Sequence, residues 1–157
     1  MPSIFTRTLT VPDDAIDVHG HVNNQEYLRG MQETAIEHSA AQGWPPERYF
    51  RFGASWYVRS HYVEYLQPAF AGDALYIGTW VSGMAERRSP RRYLFVRQGD
   101  RSILARAETL WVFIDLRSGR ASPVPEALRA AFDVMPDNNE VLRELGLALP
   151  APRVATR

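Results

Sequence analysis

The sequence contains no cysteine and no lysine. Without cysteine there are no disulfides, no thiolate metal ligands and no thiol nucleophile. Without lysine all 18 basic residues are arginine, which excludes Schiff-base chemistry and the lysine of a phosphate-binding P-loop. The nucleophile elbow G-x-S-x-G and the dinucleotide fingerprint G-x-G-x-x-G are both missing. No apolar run approaches the ~18 residues that would suggest a membrane-spanning helix. The opening "MPSIFTRTLTVPDD" lacks the charged-then-apolar layout of a signal peptide, so the cytoplasm is the expected compartment. Acidic and basic residues balance at 18 each, leaving no global field to recruit nucleic acid or an anionic membrane. Chemistry is left to carboxylates, histidines, hydroxyls and backbone amides.

The 157 residues are 45% hydrophobic, which fits one globular domain with a sizeable core. "SIFTRTLTV" (Ser3 to Val11) is rich in β-branched residues and reads as a strand, ended by Pro12, Asp13 and Asp14. A long helix follows from Asn24 to Gln42. Tyr27, Leu28, Met31, Ala35 and His38 recur at helical spacing. Asn23 is placed as its N-cap, with Glu26 positioned to close a capping box, and Gly43 as its C′ residue. Gly30 inside this helix implies a close approach to another element. Period-two strands are expected at Ala54–Leu66, Ala74–Gly83, Tyr93–Gln98 and Ser102–Leu116, with a charged turn at Glu86–Arg92. Short turns between them imply antiparallel pairing. A short helix at Glu126–Phe132 and further helical turns within Asn138–Leu149 complete the reading. The order predicts an α+β fold: an antiparallel sheet of about five strands wrapped around one long helix. Residues 1–135 form the domain, and 136–157 a partly helical or loose extension.

The stretch "DVHGHVNNQEYL" (Asp17 to Leu28) admits three readings. Asp17, His19 and His21 have the chemistry of zinc ligands, but neither His38 nor His61 completes a recognisable metal-binding spacing. Alternatively, Asn23 simply caps the helix and Gly20 makes a turn. In the third reading, the first helical amide, that of Asn24, is left unsatisfied by the cap and points at an external oxygen. A carbonyl placed there gains an oxyanion-type donor as negative charge develops. Asp17, one short loop upstream, folds back beside the same helix end.

The pattern Asp17-x-x-Gly20-His21-Val22-Asn23-Asn24-x-x-Tyr27-Leu28 resembles the signature of hotdog-fold acyl-CoA thioesterases of the 4-hydroxybenzoyl-CoA thioesterase family. "VEYLQPAFAGDAL" (Val63 to Leu75) and "DLRSGRASPVPEAL" (Asp115 to Leu128) are similar to two further elements of that family. The resemblance covers about Phe5 to Leu128. One departure is Ala15, where many relatives carry a second acid. The resemblance implies a hotdog fold and hydrolysis of an acyl-CoA to a carboxylic acid and free CoA, without metal or organic cofactor. It implies that Asp17 is the nucleophile or general base, that Asn24 polarises the carbonyl, and that His21 lines the site. Gly20, Val22, Asn23 and Tyr27 are the implied substrate-facing positions, although Tyr27 and Met31 also suit a core. Some relatives place an acid of this helix in a partner's site; Glu33 is the candidate for that, although its position also suits a plain solvated face. A homo-oligomer, dimer or tetramer, is implied as well.

Arg87, Arg88, Arg91 and Arg92 flank Pro90 in the charged turn. They read either as a solvated turn or as a phosphate-binding cluster for coenzyme A, since arginine binds phosphate bidentately. A protein of this type that binds acyl-CoA or acyl-carrier thioesters without turnover is the alternative. A hydratase fits less well, because Asp17-x-x-x-His21 does not match that chemistry's own Asp and His spacing.

Overall fold

The computed structural model describes residues 3–150. Along the chain run β1 (Phe5–Thr10), a single 3-10 turn (Asp13–Ala15), α1 (Asn24–Ala41), α2 (Pro46–Phe52), β2 (Ala54–Tyr65), β3 (Ala74–Val81), β4 (Arg88–Arg97), β5 (Ile103–Asp115), α3 (Glu126–Ala130) and α4 (Asn138–Leu145). The five strands form one antiparallel sheet in the order β1-β3-β4-β5-β2. The sheet curls around α1, the hotdog arrangement the sequence implies.

One face of α1 explains its position. Tyr27, Gly30, Met31, Thr34, Ala35 and His38 are buried, at the spacing that lines up one side of a helix. Tyr27 and Met31 pack in one cluster with Leu75 and Ile77 of β3, Tyr93 and Phe95 of β4, and Ala105 and Ala107 of β5. The closest approach is at Gly30, where a Cβ would lie 2.9 Å from Ile77 Cδ1. Gly43 ends the helix at φ +91°, a left-handed conformation that costs glycine nothing. The capping box does not form. The Asn23 N–H is already taken by the Ala15 carbonyl at 2.7 Å, and the Glu26 carboxylate turns instead to Arg29 at 3.6 Å.

The opposite face of the sheet is covered by the chain's C-terminal part. Val141 of α4 is fully buried against a patch containing Trp80, Leu94, Val96 and Ile103. Asp137 caps α4, and Arg101 donates to the Leu145 carbonyl at its other end, 2.6 Å away. The looseness expected of the last residues concerns 151–157, which lie outside the described residues.

Two further expectations need correction. α2 is absent from the sequence reading, which passes directly from Gly43 to β2. It spans only seven residues, too short for helical periodicity to register. Its bracketing signals were present: Pro46 in the first turn and Gly53 at φ +90° after the last. The second correction is β4. It begins at Arg88, not Tyr93, so most of the expected charged turn is strand. Pro90 and the arginines suggested a turn. Pro90 is tolerated because the regular β3–β4 ladder ends at Val81 and Arg91, and beyond it Ser82 donates to the Pro90 carbonyl, a bond that needs no N–H from proline.

Candidate active site

The Asp17 loop is closed by its own backbone. Ile16 and Val22 form an antiparallel bridge, Asp17 N–H donates to the His21 carbonyl at 2.7 Å, and Gly20 N–H donates to the Asp17 carbonyl at 3.1 Å. Gly20 supplies the reversal at φ +79°. Val22 N–H reaches across to the Ala69 carbonyl at 3.0 Å, tying the loop to the segment between β2 and β3.

Inside this loop Asp17 Oδ1 accepts from the backbone N–H groups of His19 at 2.8 Å and His21 at 3.1 Å. These amides, that of His19 foremost, hold the carboxyl below its ordinary value of 3.8. Among the described residues nothing hydrogen-bonds Oδ2. The carboxylate is therefore fixed in orientation, ionised, and left with one oxygen for chemistry. The His21 ring packs edge-on against Phe70 at 5.5 Å, while His19 stands in solvent. Among the described residues no group of three or more His, Asp or Glu side chains gathers as metal ligands would.

At the adjoining end of α1, Asn23 Oδ1 accepts from the Gln25 N–H at 3.0 Å and its carbonyl from the Glu26 N–H at 2.9 Å. Among the described residues no acceptor takes the Asn24 N–H, and Asn24 is exposed. The first helical amide is thus free and carries the positive end of the helix dipole. Asp17, Gly20, His21, Val22, Asn23 and Asn24 come together as one loop and helix end.

Tyr27 is one turn deeper and buried. It packs edge-on against Tyr65 at 5.0 Å and Phe95 at 4.9 Å, and burial raises its hydroxyl to about 12. It is a wall between the loop and the end of β2. Glu33 is engaged by Arg7 of β1 at 3.0 Å, which also pairs with Glu37 at 3.2 Å.

The four arginines do not act as one cluster. Strand alternation sends neighbours to opposite faces. Arg91 turns inward and is buried, whereas Arg92 turns outward to Glu108 at 2.9 Å and to Asn138 Oδ1 at 2.8 Å. Only Arg87 and Arg88 remain exposed.

A cavity of about 520 Å³ opens between the C-terminal half of α1, α2 and the first half of β2, within the range of small-molecule sites. Ala35, Ile36, Trp56, Val81, Met84 and Phe132 supply apolar walls, and Arg91 and Ser89 supply polar ones. The sequence reading missed it because its lining comes from six separate elements and the segments between them. By helix rise, Gln32 at its rim is about 12 Å from Asn24. The hollow nearer the loop, touching Val22, Glu26, Tyr27 and Glu33, holds only about 100 Å³.

Comparisons with known proteins agree with this geometry. The family described as the thioesterase-like superfamily is matched over residues 11–132. A chloroplastic palmitoyl-acyl carrier protein thioesterase of Gossypium hirsutum is 25% identical over 139 residues, covering 83% of this chain and 33% of the relative. This chain thus spans about a third of the length of the curated relatives it matches. Among solved structures, a 1,4-dihydroxy-2-naphthoyl-CoA thioesterase from Synechocystis superposes with a TM-score of 0.75 at 21% identity, covering 82% of this chain and 94% of that one. A Staphylococcus aureus protein solved in complex with CoA gives a TM-score of 0.79 at 15% identity, covering 98% and 96% of the two chains.

Proposed function

The chain belongs to the thioesterase-like superfamily, and on that premise we propose that it hydrolyses acyl thioesters of coenzyme A, with Asp17 and the Asn24 amide as the reacting pair. The observation that carries this is the free Asn24 N–H beside a carboxylate whose one oxygen is locked and whose other is open. The thioester carbonyl oxygen accepts from the Asn24 N–H. Asp17 Oδ2 removes a proton from water, and the water oxygen attacks the carbonyl carbon. The oxyanion then collapses, the C–S bond breaks, and the thiolate leaves to be protonated. Direct attack by Oδ2 gives an anhydride that water opens to the same products. Both routes need an ionised, oriented carboxylate and a donor where negative charge develops.

The cavity is the natural acyl chamber, and a second copy of the chain brings it to the chemistry. β2 is a strand of 12 residues that, among the described residues, lies at the edge of the sheet beside β5. Its start lines the cavity, and its end, at Tyr65, lies against Tyr27 near the loop. Pairing two copies of β2 about a two-fold axis reverses the partner strand. The Asp17 loop of one protomer then lies beside the chamber of the other. Exposed Arg87 and Arg88 stand next to Ser89 and Met84 at the chamber wall, where they suit the phosphates of CoA.

The decisive experiment is a hydrolysis screen of purified protein over short, long, branched and aromatic acyl groups, each carried on CoA and on acyl carrier protein. Release of free thiol from at least one CoA thioester, lost in Asp17→Asn, is the expected result. Tight CoA binding with no turnover of any thioester would instead identify a carrier or sensor of acyl groups.

A further inference from the structure

Arg91 is 6% exposed and sits in the wall of the large cavity. Its Nη1 donates to His38 Nδ1 at 2.8 Å and to Thr79 Oγ1 at 3.1 Å. Both acceptors are neutral. His38 must present a lone pair at Nδ1 to accept from a cation, and its ring is held between Phe5 and Phe132. Among the described residues no carboxylate pairs with Arg91; the ion pairs present engage Arg7, Arg29, Arg92, Arg97 and Arg106.

This is an unusual way to hold a guanidinium. A buried charge is unfavourable unless a counter-charge and hydrogen bonds compensate it. A guanidinium has five N–H donors, and the two hydrogen bonds found both leave from Nη1. Nη2 and Nε have no acceptor among the described residues. Trp111 lines the same space through its ring, with its Nε1 buried and Tyr93 Oη near it. Trp111 stands opposite Ser89 across the β4–β5 ladder, two residues along from the Arg91–Thr109 pair, so both side chains share the inner face. The chamber is therefore apolar along its sides, with the unpaired donors of Arg91 at one place.

We infer that the chamber selects acyl groups that end in a carboxylate, with Arg91 as the specificity-determining residue that receives that carboxylate. The fork of the guanidinium matches a carboxylate bidentately, and one negative charge balances one positive charge. A phosphate dianion would bring an excess charge into the same apolar walls. The apolar sides fit the methylene body between carboxylate and thioester. This inference rests on the proposed thioesterase reading for its substrate class, but its test does not depend on turnover.

The test uses thioether analogues of acyl-CoA, which cannot be hydrolysed, in matched pairs of about four to ten acyl carbons ending in methyl or carboxylate. Their affinities for the intact protein are measured by calorimetry. At the best length the carboxylate member should bind at least about tenfold more tightly, the scale of a charge-assisted bidentate contact. Arg91→Met, close in volume, should erase or invert that preference, and Arg91→Lys should keep part of it. Circular dichroism establishes that each variant is folded. If Arg91→Met does not fold, the wild-type comparison and Arg91→Lys still decide. Equal affinity for the two members at every length overturns the inference, as does a preference that survives in a folded Arg91→Met. A tenfold preference in a protein that hydrolyses no thioester supports the inference while refuting the thioesterase reading. Hydrolysis of methyl-ended acyl-CoA with no carboxylate preference does the reverse.

Discussion

Asp17 commits one carboxylate oxygen to its own loop and keeps the other open. Asp17→Asn preserves shape but can neither accept a proton as a base nor attack as an anion. We expect kcat to fall by at least about a hundredfold with the fold unchanged, as for loss of a central catalytic group. The amides of His19 and His21 hold the acid below 3.8, so this group should impose no loss of kcat/KM between about pH 5 and 8. A pH–rate profile checks it. Replacing both Arg87 and Arg88 by alanine should raise KM for CoA thioesters several-fold with little change in kcat. Phosphate contacts far from the thioester bind ground and transition states alike. The effect should shrink at high salt, because exposed charges are screened. An unchanged KM would return these arginines to plain solvation. His38 gives a third expectation. Burial, and secondarily the Arg91 charge, lower it from 6.5 to about 3. The unfolded chain takes up this proton below about 6.5 while the folded protein resists it until near 3. Stability is therefore fully present above that window and declines as pH falls through it, by up to about 1.4 kcal/mol per pH unit. Urea titrations at about pH 7.5 and 5.5 measure the slope, and His38→Gln, which cannot titrate, should flatten this contribution.

At the scale of elements, the contact between α1 and β3 turns on Gly30. A methyl there meets Ile77 Cδ1 at 2.9 Å and Phe95 at 3.5 Å. Gly30→Ala gains about 1 kcal/mol of helix propensity and loses a similar amount to crowding, so its stability should stay near wild type. Gly30→Val adds branches that the buried Ile77 and Phe95 cannot clear, and should cost about 2 to 3 kcal/mol. Thermal denaturation of the pair distinguishes a tight interface from a loose one. Equal stability of Gly30→Val and wild type would show that the helix moves freely off the sheet.

For the whole molecule, the exposed edge of β2 is the main liability. Its outward side chains include Tyr57 and Tyr62, and Phe50 and Phe52 of α2 are exposed beside its start. Long unpaired edges invite association unless covered, and two-fold pairing is the commonest way to cover them. We expect a dimer at least, stable to dilution through the assay range, by light scattering or sedimentation. Proline at Arg59, where the β2–β5 register slips, should weaken the dimer and activity together if the site spans two subunits. A fully active monomer would refute both the assembly and the shared site.

The sequence by itself determined the elements with strong local signals. Asn23, Gly43 and the spacing from Tyr27 to His38 specify α1, because caps and periodicity act within a few residues. Alternation marked β2, β3 and β5, and the Asp17–Leu28 motif contained most of its own loop geometry, since its hydrogen bonds, apart from the tie of Val22 to Ala69, join residues near in sequence. Tertiary structure decided what depends on distant residues. The start of β4 lies within a run of charge and proline, and only pairing with Val112, Trp111 and Leu110 of β5 makes Arg88, Ser89 and Pro90 a strand. That pairing turned Arg91 inward and Arg92 outward, dissolving what looked like one basic cluster. The Glu26 capping box failed because Ala15 reached the Asn23 amide first. The cavity arises only where α1, α2, β2, β3, β4 and β5 converge, and no local pattern encodes a space whose walls lie up to a hundred residues apart.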